Sequence, residues 1–139
     1  MSARAAPRRS VCPTCYALDI FGDKWTLLIV RDLMFKGKTR YSDFLNSEER
    51  IATNILADRL DKLVMCGVIE KRPDLVNSRA SVFALTQKGR DLLPLMIEIT
   101  LWSAKYDPKS DAPAILIRRA KTDRQALLRD LMTALKSAA

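Results

Sequence analysis

The sequence predicts a mainly helical α+β domain, several helices with one small β-hairpin. Three observations predict it. Apolar residues recur at helical spacings in five stretches of the 139-residue chain. Between the third and the fourth lies a polar, turn-rich segment flanked by two short β-prone runs. The composition, 48% hydrophobic and 29% charged, belongs to a soluble globular chain of one domain.

The elements follow in order. Residues Asp19 to Phe35 read as one helix, with Ile20, Trp25, Leu28, Ile29, Leu33 and Met34 apolar nearly all round, so it is expected at the centre of the fold. Gly37 ends it, inside a basic cluster of Lys36, Lys38 and Arg40. Tyr41 to Leu45 is a short helix with Tyr41, Phe44 and Leu45 on one face. A polar turn leads to a longer helix, Ala52 to Cys66, whose stripe is Leu56, Leu60, Leu63 and Val64. Gly67 then stands where a left-handed cap is expected.

Val68 to Arg72 and Ser81 to Leu85 suit two strands, joined by the loop Pro73 to Ala80. Thr86 is placed to cap a helix from about Gln87 to Tyr106, which Pro94 should bend. Asp107 to Pro113 is a linker. Ala114 to Ile117 fits a strand or a helix start equally, and Thr122 to Ala138 is helical, with Leu127, Leu128, Leu131, Met132 and Leu135 in one stripe. Three regions result: a disordered basic tail over 1–10, a main domain over 11–106, and a linker with a C-terminal helix over 107–139 that supports a dimer.

The chain carries 24 Lys plus Arg against 16 Asp plus Glu, a net charge of +8. Such an excess suits a polyanionic partner, because cations that neutralise phosphates release condensed counterions. No apolar run approaches the roughly 20 residues that span a bilayer, and no signal-type stretch follows the N-terminus, so no membrane partner and a cytoplasmic location are expected. Histidine is absent, which removes the commonest general base and metal ligand. With no Gly-rich phosphate loop and no nucleophile–base pair either, an enzyme is not expected, nor is a cofactor.

Helix, short helix, helix, hairpin, helix is the order of a winged helix-turn-helix. Particular motifs then sharpen the reading. Cys12-Pro13 precedes Leu18-Asp19; Gly22 and Lys24-Trp25-Thr26-Leu27-Leu28-Ile29 lead into Arg31-Asp32-Leu33; Arg40-Tyr41-Ser42-Asp43-Phe44 opens the motif. Ile51 to Leu63 and Gly67-Val68-Ile69 follow, then Leu85-Thr86 with Gly89-Arg90 and Leu92. In this order and spacing, over Cys12 to Trp102, the chain resembles the HxlR family of bacterial regulators, relatives of the MarR-type winged helix proteins. The segment from Arg72 to Arg79 departs from the family's Tyr and paired prolines. The resemblance implies a transcriptional regulator, with repressor or activator left open and repressor the expectation, that binds palindromic double-stranded DNA as a homodimer and performs no catalysis.

Under that reading, Ala52 to Cys66 is the recognition helix. Thr53, Asn54, Ala57 and Asp58 on its polar face are the base-reading candidates, since Asn pairs with adenine and methyl groups meet thymine. Lys36, Lys38, Thr39, Arg40 and Ser42 are placed for phosphates, and Lys71, Arg72, Asn77, Ser78 and Arg79 for the wing. Arg59 suits a phosphate or a nearby carboxylate equally. Leu92, Leu95, Met96, Ile99 and Trp102 form the dimer face, because they carry more apolar surface than a small domain hides. Trp25, Trp102, Tyr41 and Phe44 suit core packing better than a ligand cage.

Cys12 and Cys15 form a C-x-x-C. Four zinc ligands are lacking, and the βαβ setting of a thioredoxin-type motif is missing. Some members of the resembled family sense oxidants through a cysteine at the position of Cys12, which Arg8, Arg9 and Lys24 would activate, with Cys15 as resolving partner; a structural cysteine is the other reading. Cys66 is expected to be buried and inert. Two further readings stand beside the main one: modulation by a small-molecule effector, and a winged-helix interaction module without DNA binding.

Overall fold

A computed structural model describes residues 7–138. Of the tail expected over 1–10, residues 1–6, Arg4 among them, lie outside the described range. Eight helices and one hairpin follow: α1 (Pro13–Phe21), α2 (Thr26–Phe35), α3 (Tyr41–Leu45), α4 (Thr53–Met65), β1 (Ile69–Pro73), β2 (Ser81–Leu85), α5 (Gln87–Arg90), α6 (Leu93–Tyr106), α7 (Ala114–Thr122) and α8 (Arg124–Ala138).

The first expected helix is two. Pro13 starts α1 six residues before the anticipated Asp19, and Gly22 closes it. Asp23 then turns the chain. Its carboxylate accepts from the backbone N–H of Trp25 at 3.0 Å and of Thr26 at 3.2 Å, supplying the acceptor that the first free amides of α2 lack. The apolar pattern runs straight through this break, so periodicity alone could not find it. Ile29, Val30 and Met34 of α2 are buried, as its central position requires.

Leu56, Leu60 and Leu63 of α4 pack into the same core with Phe44, Val68, Ile69, Phe83, Leu93 and Ile97. Gly67, at φ 75°, turns the chain out of α4 in the left-handed conformation that favours glycine. The two strands pair antiparallel from Ile69↔Leu85 to Pro73↔Ser81. β2 also bonds to the segment before α3: the Phe83 N–H donates to the Thr39 carbonyl at 2.7 Å, and Arg40 bridges Val82. The hairpin is thereby tied to the helix-turn-helix at its base.

Thr86 caps α5 as expected, its hydroxyl accepting from the Gly89 N–H at 3.2 Å. Gly89 lies so close to the hairpin that an added Cβ would stand 2.2 Å from the Val68 carbonyl oxygen. The helix expected from Gln87 to Tyr106 breaks at Asp91–Leu92. Pro94 therefore stands in the first turn of α6 and bends nothing, because an N–H missing there costs no internal bond. Ala114 to Ile117 is helical, the start of α7. α7 and α8 form a hairpin that buries Ala120 and Leu127 and packs α8 on α6. No helix among the described residues is long and apolar enough to cross a membrane.

Candidate nucleic-acid interface

The turn between α3 and α4 is held from below by α2. Asp32, almost fully buried, accepts from the Ser47 hydroxyl at 2.7 Å and from Arg31 at 2.9 Å; Lys38 approaches it at 3.5 Å. Arg31 reaches on to Glu49 at 2.6 Å. Tyr41 joins the two helices, donating its hydroxyl to the Thr53 carbonyl at 2.8 Å. Buried polar groups satisfied in this way fix the relative placement of helices that apolar contact alone would let slide.

On that support α4 presents Thr53, Asn54, Ala57 and Asp58 to solvent in its first two turns. The four expected base-reading positions thus share one exposed face. Asp58 is ion-paired with its neighbour Arg59. Arg59 resolves its two readings in favour of a carboxylate, and the main partner lies far off in sequence: its Nε donates to Asp23 at 2.9 Å. Partial burial raises the Asp23 carboxyl, but hydrogen bonds from Thr26, Arg59 and the Trp25 N–H outweigh it and bring it to about 2. Arg59 therefore pins α4 to the start of α2.

Two further cations are engaged within the chain. The Lys38 ammonium donates to Ser47 at 2.7 Å and is largely covered. Arg40 holds Asp74 of the wing loop at 2.7 and 3.2 Å. That guanidinium, with the Val76 N–H, draws the Asp74 carboxyl down to about 2. Both cations serve the fold. Arg72 pairs with Glu70 at the hairpin surface. Lys36, Lys71 and Arg79 are exposed and carry no ion pair among the described residues. Ser42, Asn77 and Ser78 are exposed hydroxyl and amide groups; Thr39 is used through its backbone. Between α3 and the wing opens a cleft of about 660 Å³, lined by Ser42, Lys71, Asn77 and Phe83 among others. Asp23, Asp32 and Asp74, the carboxylates that organise this surface, were not singled out by sequence. Only the start-of-helix pattern at Asp23 could have signalled one of them.

On α6, Met96 is buried in the protomer's own core, which removes it from the expected dimer face. Leu92 and Leu95 are half-buried, whereas Ile99 and Trp102 are exposed, Trp102 at 68%. Of the aromatic residues expected in the core, only Phe44 is fully buried, set edge-on to Phe83 at 6.3 Å. Trp102 lies tilted against Tyr106 at the surface, and Tyr41 is about one-third exposed.

Cys12 is exposed at the start of α1. The N–H groups of Cys15 and Thr14, with the Thr14 hydroxyl, lower its thiol from the ordinary value. The expected cations are engaged elsewhere. Arg9 holds Asp19 at 2.7 Å, Arg8 lies over the Tyr16 ring and Lys24 over Trp25. Cys15 is half-buried and faces Asp19 at 3.8 Å; Cys66 is half-buried rather than buried.

The model of the HxlR-like helix-turn-helix matches residues 20–111, from the end of α1 through α6. The chain belongs to the HxlR family. That family is one of transcriptional regulators rather than enzymes. Within it, the HTH-type transcriptional regulator Mb3122 of Mycobacterium bovis is 32% identical over 102 residues, 73% of this HxlR-family chain. The match spans 63% of that relative's length. Among solved structures, PA1607 superposes with a TM-score of 0.67 at 40% identity, covering 75% of this chain and 72% of that one. The reduced form of YodB from Bacillus subtilis does so with 0.58 at 25% identity over 73% of this chain and all of YodB. The redox regulator HypR in its oxidised form gives 0.60 at 25% identity, covering 68% of this chain and 96% of HypR.

Proposed function

We propose that this HxlR-family protein is a sequence-specific regulator that binds palindromic double-stranded DNA as a homodimer. The observation that carries the reading is the exposed face of α4. Thr53, Asn54 and Ala57 stand free on the second helix of a helix-turn-helix whose turn is braced by Asp32 and Tyr41. Such a helix enters the major groove with its N-terminal residues against base edges. Lys36, Lys71 and Arg79 supply unpaired charge on either side for phosphates. Ile99 and Trp102 on α6 leave exposed apolar surface that a second copy would bury.

Selection of bound genomic fragments, repeated over several salt concentrations, tests the reading. Palindromic sites whose affinity falls as salt rises support it. Absence of any salt-dependent DNA affinity would instead favour a protein-interaction module.

A second reading concerns control, and the position of Cys12 favours it. An exposed thiol lowered by the first amides of a helix is the more readily ionised and oxidised. YodB is known in diamide-treated and quinone-bound forms and HypR in oxidised form. By that likeness Cys12 is a redox-responsive thiol, Cys15 its resolving partner, and a quinone the first small-molecule effector to offer. Operator binding lost on diamide treatment in the wild type but retained in Cys12→Ser supports this. Equal response of the two proteins returns Cys12 to a structural role.

A further inference from the structure

The wing loop is organised around one carboxylate. Asp74 is 5% exposed, although it opens a loop of surface residues. Its Oδ2 accepts from Arg40 Nε at 2.7 Å and its Oδ1 from Arg40 Nη2 at 3.2 Å, a two-point grip on a planar guanidinium. Oδ1 also accepts from the Val76 N–H at 2.9 Å. The Asp74 N–H in turn donates to the Ala80 carbonyl at 3.2 Å and closes the loop across its neck. At the tip, Leu75 is fully exposed and Val76 is 87% exposed.

Arg40 precedes α3 and bridges β2 at Val82. The ion pair therefore links the helix-turn-helix to the far end of the hairpin, beyond the reach of the strand ladder. We infer that Arg40 and Asp74 are a positioning pair for DNA binding: Arg40 fixes the wing tip and contacts no phosphate itself, so that Leu75, Val76 and Arg79 meet the minor groove together. Apolar side chains at such a tip are the kind that press between base steps, and a cation beside them suits the groove's negative potential. The inference rests on the DNA-binding reading of the chain and deepens it.

Two readouts separate the inference from that reading. The first needs no DNA. Amide hydrogen exchange of the free, full-length protein is compared between wild type and Asp74→Asn, with Arg40→Gln as a second variant should the first fold poorly. Exchange at Val76 and at the amide of position 74 quickens in the variants while α4 is unchanged. Unchanged exchange in the loop overturns the pair as a positioning device. The second readout is affinity for a selected site over a salt series. Asp74→Asn weakens binding about tenfold, within the range seen for residues that act on a ligand without touching it, and leaves the salt slope unsteepened. In that background Arg79→Ala costs much less than in wild type, the non-additivity expected when one residue places another. Tighter binding with a steeper salt slope in Asp74→Asn would overturn the inference, because Arg40 would then be a phosphate ligand restrained by Asp74. If no variant and not the wild type binds any DNA, yet loop exchange quickens, the DNA reading fails and the structural lock stands.

Discussion

The exposed face of α4 and the shoulder formed by α3 with the wing differ in what they do with charge. On α4, three of the four expected reading residues, Thr53, Asn54 and Ala57, are uncommitted. On the shoulder, Lys38, Arg40 and Arg72 all point at carboxylates or hydroxyls of their own chain, and Arg59 does the same from the far side of α4. A helix face is legible because period 3.6 alone decides what points outward. A cation's partner is not, because Asp23 and Asp74 stand 36 and 34 residues from the arginines they bind. The lesson is that the count of 24 Lys plus Arg overstates the cations free for a polyanion.

The comparison can be broken most severely from beneath. Leu60→Ala removes a side chain packed against the core at 2% exposure. It should cost about 2–5 kcal/mol of stability, read by denaturant unfolding, and should abolish both surfaces together. A loss from one surface only would mean that the two do not share the core.

The reading face comes next. Asn54→Ala should cost about 1–3 kcal/mol at one base pair of the site and little elsewhere, seen by competition with singly substituted sites. Uniform weakening would move Asn54 to the phosphate class.

Acid then separates the structural carboxylates from the rest. Asp23 and Asp74 titrate near 2 in the folded protein against an ordinary 3.8. Both are lowered, so the stability they contribute is complete above about pH 4 and is lost as pH falls through 2. For Asp23 the share is at most about 2 kcal/mol. Melting temperature should fall between pH 4 and pH 2, and less so in Asp23→Asn. An identical acid profile in that variant would deny Asp23 its role at the start of α2.

The smallest effects distinguish the cations. Lys38→Ala should lower stability by about 1 kcal/mol and leave the salt dependence of binding unchanged. Arg79→Ala should leave stability unchanged and reduce the salt slope by about one.

Much of the fold was legible before any coordinates. The stripes of α4 and α8, the left-handed Gly67, the Thr86 cap and the two strands of the hairpin follow from periodicity and local chemistry. What escaped were breaks inside continuous apolar pattern, at Gly22–Trp25 and Asp91–Leu92, where a side-chain acceptor or a tight turn interrupts a helix without interrupting the stripe. At the site, exposure of Thr53, Asn54 and Ala57 was legible and pairing of Arg40 and Arg59 was not. The cysteine reading stood between these. The position of Cys12 at a helix start was hidden by placing that helix six residues late, and the cause of its lowered thiol proved to be backbone amides rather than cations.

The central claim is that α4 reads bases while a few free cations, Arg79 among them, meet the negative potential of the DNA. The most direct test is the salt dependence of affinity for a selected palindromic fragment, measured for wild type, Arg79→Ala and Lys38→Ala. The account predicts a linear fall of log affinity with log salt, a slope smaller by about one in Arg79→Ala, and the wild-type slope in Lys38→Ala. Affinity independent of salt, or a slope reduced in Lys38→Ala and not in Arg79→Ala, would contradict it.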